Sequence, residues 1–199
     1  FRVAIAEQME DPAEAKKRGS KSVVARDVVR LVTPGTLTED TLLEARRHNF
    51  LAAWAEVRDE AALAWADIST GEFRVMACPL VRLAPELARL APREVVVSEP
   101  KRDDLAGIVS DSGASLTPLS RASFDSEGAL KRLTSLFGVA TLDAFGTFTR
   151  AEAGAMGGIV EYLDLTQRGK LPLLRPPVQE VPGGTMQIDA ATRRNLPGV

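Results

Sequence analysis

Six basic side chains, Lys16, Lys17, Arg18, Lys21, Arg26 and Arg30, fall within 15 residues that hold a single acid, Asp27. Amines and guanidiniums clustered in this way displace counterions from a nucleic-acid backbone and bind it without regard to sequence. Glu10 and Glu14 flank the cluster and weaken its field. The competing reading is an ordinary solvated surface; Lys16, Lys17, Arg18 and Lys21 are the candidate backbone contacts. Asp67 precedes Ser69-Thr70-Gly71 and reads first as an aspartate that accepts from the amides of the turn after it. His48, the sole histidine, has no ligand or nucleophile spacing around it and reads as solvated. Cys78 is the sole cysteine, which excludes a disulfide framework or a cysteine-based zinc site and points to a reducing compartment, the cytoplasm. No run of the form G-x-x-x-x-G-K-S/T occurs, and Thr33-Pro34-Gly35-Thr36 lacks the lysine and following helix of a phosphate-binding loop. The residues therefore assign no catalytic group, no metal site and no cofactor.

Periodicity supplies the elements that must hold these residues. Residues 1–8 read as a strand, and Asp11-Pro12-Ala13-Glu14 opens a short helix, with Asp11 as cap, Pro12 at the first position and Glu14 as the partner in a capping-box-like pair. Residues 23–32 are β-branched and extended, closed by Thr33-Pro34-Gly35-Thr36 as a type II turn. Residues 37–49 read as a charged helical linker. Phe50–Val57, 62–69 and Glu72–Ala77 are three apolar runs at hairpin spacing, with Trp54 and Trp65 packing in adjacent strands. A helix over 81–91, a strand at Glu94–Ser98, a helix over 102–112 and a strand over 115–119 follow. Hairpins first and alternating helices and strands afterwards predict an α/β domain with a mixed sheet.

Two longer helices come next. The spacing over 125–137 predicts that Leu130, Leu133 and Phe137 are buried and that Lys131 and Arg132 point outward, which makes these two cations candidates for docking a partner. The second helix starts at the capping box Thr149-Arg150-Ala151-Glu152 and aligns Met156, Ile159, Val160 and Leu163. Gly157-Gly158 inside it predicts a close backbone approach. Pro172, Pro176, Pro177, Pro182, Gly183 and Gly184 mark an extended linker, and 186–188 read as a strand opening a new unit.

The 199 residues, 45% hydrophobic and 26% charged, suit a folded water-soluble chain. No apolar run approaches the roughly 18 residues of a membrane span. Phe1-Arg2-Val3-Ala4-Ile5-Ala6 reads as a strand in mid-course without an initiator methionine, so the chain is expected to be a monomeric piece of a longer protein.

Four ordered blocks carry a resemblance. Val3-Ala4-Ile5-Ala6-Glu7-Gln8-Met9-Glu10-Asp11-Pro12-Ala13-Glu14-Ala15-Lys16 resembles the V-A-I-C-E-Q-x-x-D-P-x-x-x-K block of the bacterial MutS family. Arg26-Asp27-Val28-Val29-Arg30-Leu31-Val32-Thr33-Pro34-Gly35-Thr36 is similar to its V-V-R-x-V-T-P-G-T stretch, and Asp67-Ile68-Ser69-Thr70-Gly71-Glu72-Phe73 and Asp189-Ala190-Ala191-Thr192-Arg193-Arg194-Asn195-Leu196 match it as well. After Leu196, Pro197-Gly198-Val199 departs from the family pattern.

The resemblance implies that 1–37 end an α+β mismatch-recognition domain, 38–45 are a linker, 46–170 form an RNase H-like connector, 171–185 are a second linker, and 186–199 begin the core or lever domain. It implies a non-catalytic connector that couples mismatch reading to an ATP-driven core and docks a MutL-family partner. The parent would be a homodimeric DNA mismatch-repair ATPase acting on mismatched double-stranded DNA. Its ATP and Mg²⁺ site and its aromatic–x–glutamate wedge are expected outside this chain. The alternative is a metal-dependent nuclease on the same fold. It would require Asp67, Asp143 and Glu161 to converge on Mg²⁺.

Overall fold

The computed structural model describes residues 2–19, 21–37 and 48–182, and begins with a ribbon. Strands β1 (Val3–Gln8) and β2 (Arg26–Val32) pair antiparallel, from Val3 opposite Val32 to Gln8 opposite Arg26, with α1 (Pro12–Lys17) between them. Asp11 caps α1 by accepting from the Ala13 amide at 2.8 Å. The expected capping box with Glu14 is thus replaced by a one-sided cap. Val3, Ile5 and Val28 remain exposed, because α5 covers only part of the ribbon and half-buries β2 from Val29 to Val32.

The expected type II turn is instead one turn of 3₁₀ helix, Pro34–Thr36, with Thr33 and Thr36 bonding each other's backbone and side chains. Gly35 has no left-handed φ. It is needed for space, since a Cβ there would lie 2.9 Å from Leu51 Cδ1 and 3.0 Å from Glu94 Cβ.

A six-stranded mixed sheet forms the body. β3 (Phe50–Val57), β4 (Glu60–Asp67) and β5 (Glu72–Ala77) make an antiparallel meander. β6 (Glu94–Ser98) and β7 (Ser115–Leu119) join parallel to β3 through crossovers made by α2 (Leu80–Leu90) and α3 (Arg102–Asp111). The order is β7-β6-β3-β4-β5-β8, where β8 (Val178–Glu180) lies parallel to β5. The Pro-rich stretch expected to be a plain linker therefore lies along the sheet. Leu174 enters the core, and the Arg175 amide bonds the Gly71 carbonyl at 2.8 Å. Parallel addition of three residues to an edge leaves no periodicity to detect.

The central strands are buried on both faces, so both must be covered. Phe50, Trp54, Leu63 and Trp65 face α2 and α3 and pack with Leu83, Leu87, Leu105 and Val109. On the other face a floor of alanines, Ala53, Ala55, Ala62, Ala64 and Ala66, lets α5 (Arg150–Gln167) settle close, with α4 (Ser126–Phe137) beside it. The Thr149–Glu152 capping box is present, with both bonds formed (3.1 and 2.9 Å). Gly157 and Gly158 do admit a close neighbour: a Cβ on Gly157 would meet Ala129 Cβ at 2.3 Å, and one on Gly158 would meet the Phe124 ring at 2.5 Å.

That contact rotates α4 from the expected face. Ala129 and Leu133 are buried, while Leu130 is 42% exposed. The small residue that fits against glycine wins the interface over the larger leucine. The charged segment expected to be helical over 37–49 and the new unit expected from 186 fall mainly or wholly outside the described residues.

Candidate functional site

The basic cluster splits when folded. Lys16, Lys17 and Lys21 are exposed around α1, and no ion pair joins them among the described residues. Arg18 turns back to Glu10, whose Oε1 also accepts the Ala25 amide at 2.6 Å. That amide, opposed by desolvation and helped by Arg18, holds the Glu10 carboxyl below its ordinary value. Arg18 thus closes the tip of the ribbon through Glu10, while the three lysines keep their ammonium groups in solvent. Lys16 and Lys17 also lie in the last turn of α1, where positive charge offsets the carbonyl end of the helix.

Asp67 behaves as a turn residue. Its Oδ1 accepts from the Ser69 amide at 2.9 Å and the Ser69 hydroxyl at 2.6 Å, while its carbonyl takes the Gly71 amide at 2.8 Å. Asp143 bonds Thr141 in an exposed loop, and Glu161 pairs with Arg132 and Ser123 on α5. Among the described residues no three His, Cys, Asp or Glu side chains are grouped to hold a metal. The geometry gives the nuclease alternative no support.

His48, which has no partner at motif spacing in the sequence, is not alone in the fold. Its ring stacks on Phe50 at 4.8 Å, and its Nδ1 lies 3.5 Å from Asp67 and 3.9 Å from Glu72. It borders a groove of about 550 Å³ that also takes in Trp65, Arg89, Arg93 and Glu180. Arg89 lies over the Trp65 ring at 5.6 Å and links Glu86 to Glu180, while Arg74 links Glu180 to Glu72. This chain of alternating charge fastens β8 to α2 and β5. Glu72–Arg74 and Glu86–Arg89 are local pairs, but Glu180, which joins them, lies 106 residues from Arg74 and 91 from Arg89, so the chain of charge shows no motif. Cys78 is buried, and desolvation followed by the Glu86 charge pushes its thiol up to about 12.

The two cations on α4 also separate. Lys131 is exposed beside exposed Leu130. Arg132, expected to face outward, folds over α5, with Nη1 3.0 Å from Glu161 and Nη2 donating to the Ser123 carbonyl at 2.6 Å. The slot left by Gly157 and Ala129 brings Glu161 within its reach.

The ribbon and the sheet meet at Glu94, which is fully buried at the start of β6. Glu94 Oε2 accepts the Gly35 amide at 2.9 Å, and Oε1 accepts the Thr117 and Tyr162 hydroxyls, each at 2.6 Å. Burial, then the Glu94 charge, pushes the Tyr162 hydroxyl above its ordinary range and keeps it a donor. Asn49 Nδ2 adds bonds to the carbonyls of Pro34 and Leu37.

These two units correspond to two known domains. The family model described as MutS domain II matches residues 49–175, and MutS domain I matches residues 1–41. The chain belongs to the MutS family. It is 76% identical over 196 residues to the DNA mismatch repair protein MutS of Cereibacter sphaeroides, 71% to that of Paracoccus denitrificans and 66% to that of Roseobacter denitrificans. Each match covers 98% of this chain and 22% of the relative, so the chain spans about a fifth of the length of these curated MutS proteins. No described helix is long and apolar enough to cross a membrane.

Proposed function

We propose that this chain is the connector of a DNA mismatch-repair protein, joined to the closing ribbon of its mismatch-recognition domain. The observation that carries the reading is the buried junction at Glu94 between the domain I and domain II segments. A shift of one is transmitted to the other through packed contacts rather than through a loose tether. On this reading the connector is non-catalytic. The ATP and Mg²⁺ site lies in another part of a homodimeric cytoplasmic parent that binds mismatched double-stranded DNA. The meander continued by two parallel strands and flanked by helices supports an RNase H-like assignment. The proposed boundaries are 1–37, 38–45 and a connector from 46, with β8 extending the folded unit past 170. Residues 186–199 would open the core domain.

Lys16, Lys17 and Lys21 at the ribbon tip are the proposed contacts to the DNA backbone. A MutL-family protein is the proposed partner, docking on α4 at Leu130 and Lys131, with Arg132 supporting the helix from beneath. An apolar side chain beside a cation on a rigid helix loses little conformational entropy on binding. Surface plasmon resonance of the chain against a MutL-family protein tests this. Saturable binding that weakens on changing Leu130 or Lys131 is expected, and no binding to the folded chain overturns the docking role.

A further inference from the structure

We propose that Glu94 is the positioning residue that sets the angle of the β1–β2 ribbon on the connector, because both strands of the ribbon are tied at their root to its carboxylate. This deepens the coupling role proposed above and rests on it. Residue by residue, the geometry is specific. Gly35, just beyond β2, donates directly to Glu94 Oε2 at 2.9 Å. Arg2, just before β1, donates from Nη2 to Thr117 Oγ1 at 2.8 Å, and the same hydroxyl donates to Glu94 Oε1 at 2.6 Å. Val3 pairs with Val32, so Arg2 and the turn after β2 lie at the same end of the ribbon. Gln8, Arg26 and the lysines of α1 lie at the other, about 20 Å away at roughly 3.3 Å per strand residue. The ribbon is thus a lever, with its lysines at the far end, its root gripped at two points, and β2 resting against α5.

The grip suits a carboxylate. Three donors converge on it, and an ionised carboxylate only accepts. A carboxylate lodged between strands is costly to bury unless its oxygens are satisfied, and here the satisfying groups belong to both units. Gly35 must lack a side chain for its amide to come this close. A further ion pair, Arg168 with Asp27 at 3.4 Å, touches β2 but is exposed on both sides and weak.

Electron–electron spin distances provide the test. Labels placed by Glu14→Cys and Asp103→Cys, both exposed, report the ribbon angle, and buried Cys78 stays unlabelled. Glu94→Ala should broaden the distance distribution and speed exchange of the Gly35 amide by about tenfold or more. Amides of β3 and β4 should stay protected. Glu94→Gln should restore the narrow distribution, because its oxygen can face Gly35 while its amide donates to hydroxyls able to accept. Arg2→Ala, an exposed change that does not threaten folding, should broaden the distribution by cutting one of the two ties. If Glu94→Ala fails to fold, Arg2→Ala decides, and an unchanged distribution in that variant overturns the two-point grip. Equal loosening of ribbon and sheet in Glu94→Ala would make Glu94 an ordinary core residue and also overturn it. These readings use the chain alone, so failure to bind a MutL protein would overturn the proposed docking and leave this result standing.

Discussion

Replacing Gly157 with alanine should destabilise the connector, although alanine is the better helix former. A Cβ at 157 would sit 2.3 Å from Ala129 Cβ and 2.7 Å from its Cα. Carbon atoms rest at about 3.5–4.0 Å, so α4 and α5 would have to part by on the order of 1 Å. Both atoms belong to short, stiff groups, and no side chain can swing aside. Forcing a methyl into a packed interface costs about 1–3 kcal/mol, against a helix-propensity gain of about 1 kcal/mol. The upper end applies here, because Gly154 and Gly158 hold Phe124 along the same helix and oppose any displacement. The net expectation is a loss of about 2 kcal/mol, or roughly 4–8 °C in Tm for a chain of this size. Gly107→Ala in α3 is the matched control, since nothing lies within 4 Å of its Cβ position. It should raise stability by about 0.5–1 kcal/mol. Urea titrations of both variants read the difference directly. If Gly157→Ala is as stable as the parent, the α4–α5 contact is looser than described and the account of Leu130's exposure fails with it.

Four further outcomes follow from the site. Changing Lys16, Lys17 and Lys21 together to alanine should abolish weak duplex binding and flatten its salt dependence by about one unit for each phosphate that is no longer neutralised, read by fluorescence anisotropy; an unchanged slope would make them ordinary surface. Lys131→Glu should slow association with a MutL-family protein at a cost in stability below about 0.5 kcal/mol. Arg132→Glu should be measurably less stable by chemical denaturation, because it places a second acid beside Glu161; equal stability of the two variants would contradict the inward contact. Last, the Glu10 carboxyl lies below its ordinary 4.5 because it accepts the Ala25 amide and, despite desolvation, pairs with Arg18. Its hold on the ribbon tip is complete above 4.5 and lost as pH falls through the lower folded value. The Ala25 amide resonance should therefore titrate below pH 4.5, and a midpoint at or above it would refute the contact.

Local signals in the chain are legible, and contacts between distant residues are not. The apolar run Phe50–Val57 and the Thr149–Glu152 box are short-range patterns, and both hold in three dimensions. Gly157-Gly158 announces a close approach because glycine inside a helix needs a reason. The face of α4 is misjudged from sequence because periodicity weights Leu130 above Ala129, whereas the partner surface is a glycine slot that only alanine fits. Among the site residues, the lysines can be read from composition, but the diversion of Arg18 to Glu10 depends on how the ribbon closes. Glu94 cannot be found from sequence at all. Its partners Thr117, Gly35 and Tyr162 lie 23, 59 and 68 residues away, and none belongs to a motif with it.

The edges of the two sheets differ in a way that bears on handling the protein. In the six-stranded sheet one edge, β7, carries Pro118, which has no amide to offer, and the other, β8, is three residues long. Neither invites another strand to add. The ribbon has the opposite character: strands of six and seven residues, one open edge each among the described residues, and Val3, Ile5 and Val28 exposed. Concentrated solutions of this chain should therefore self-associate through the ribbon first, and the connector sheet should remain a bystander to that aggregation.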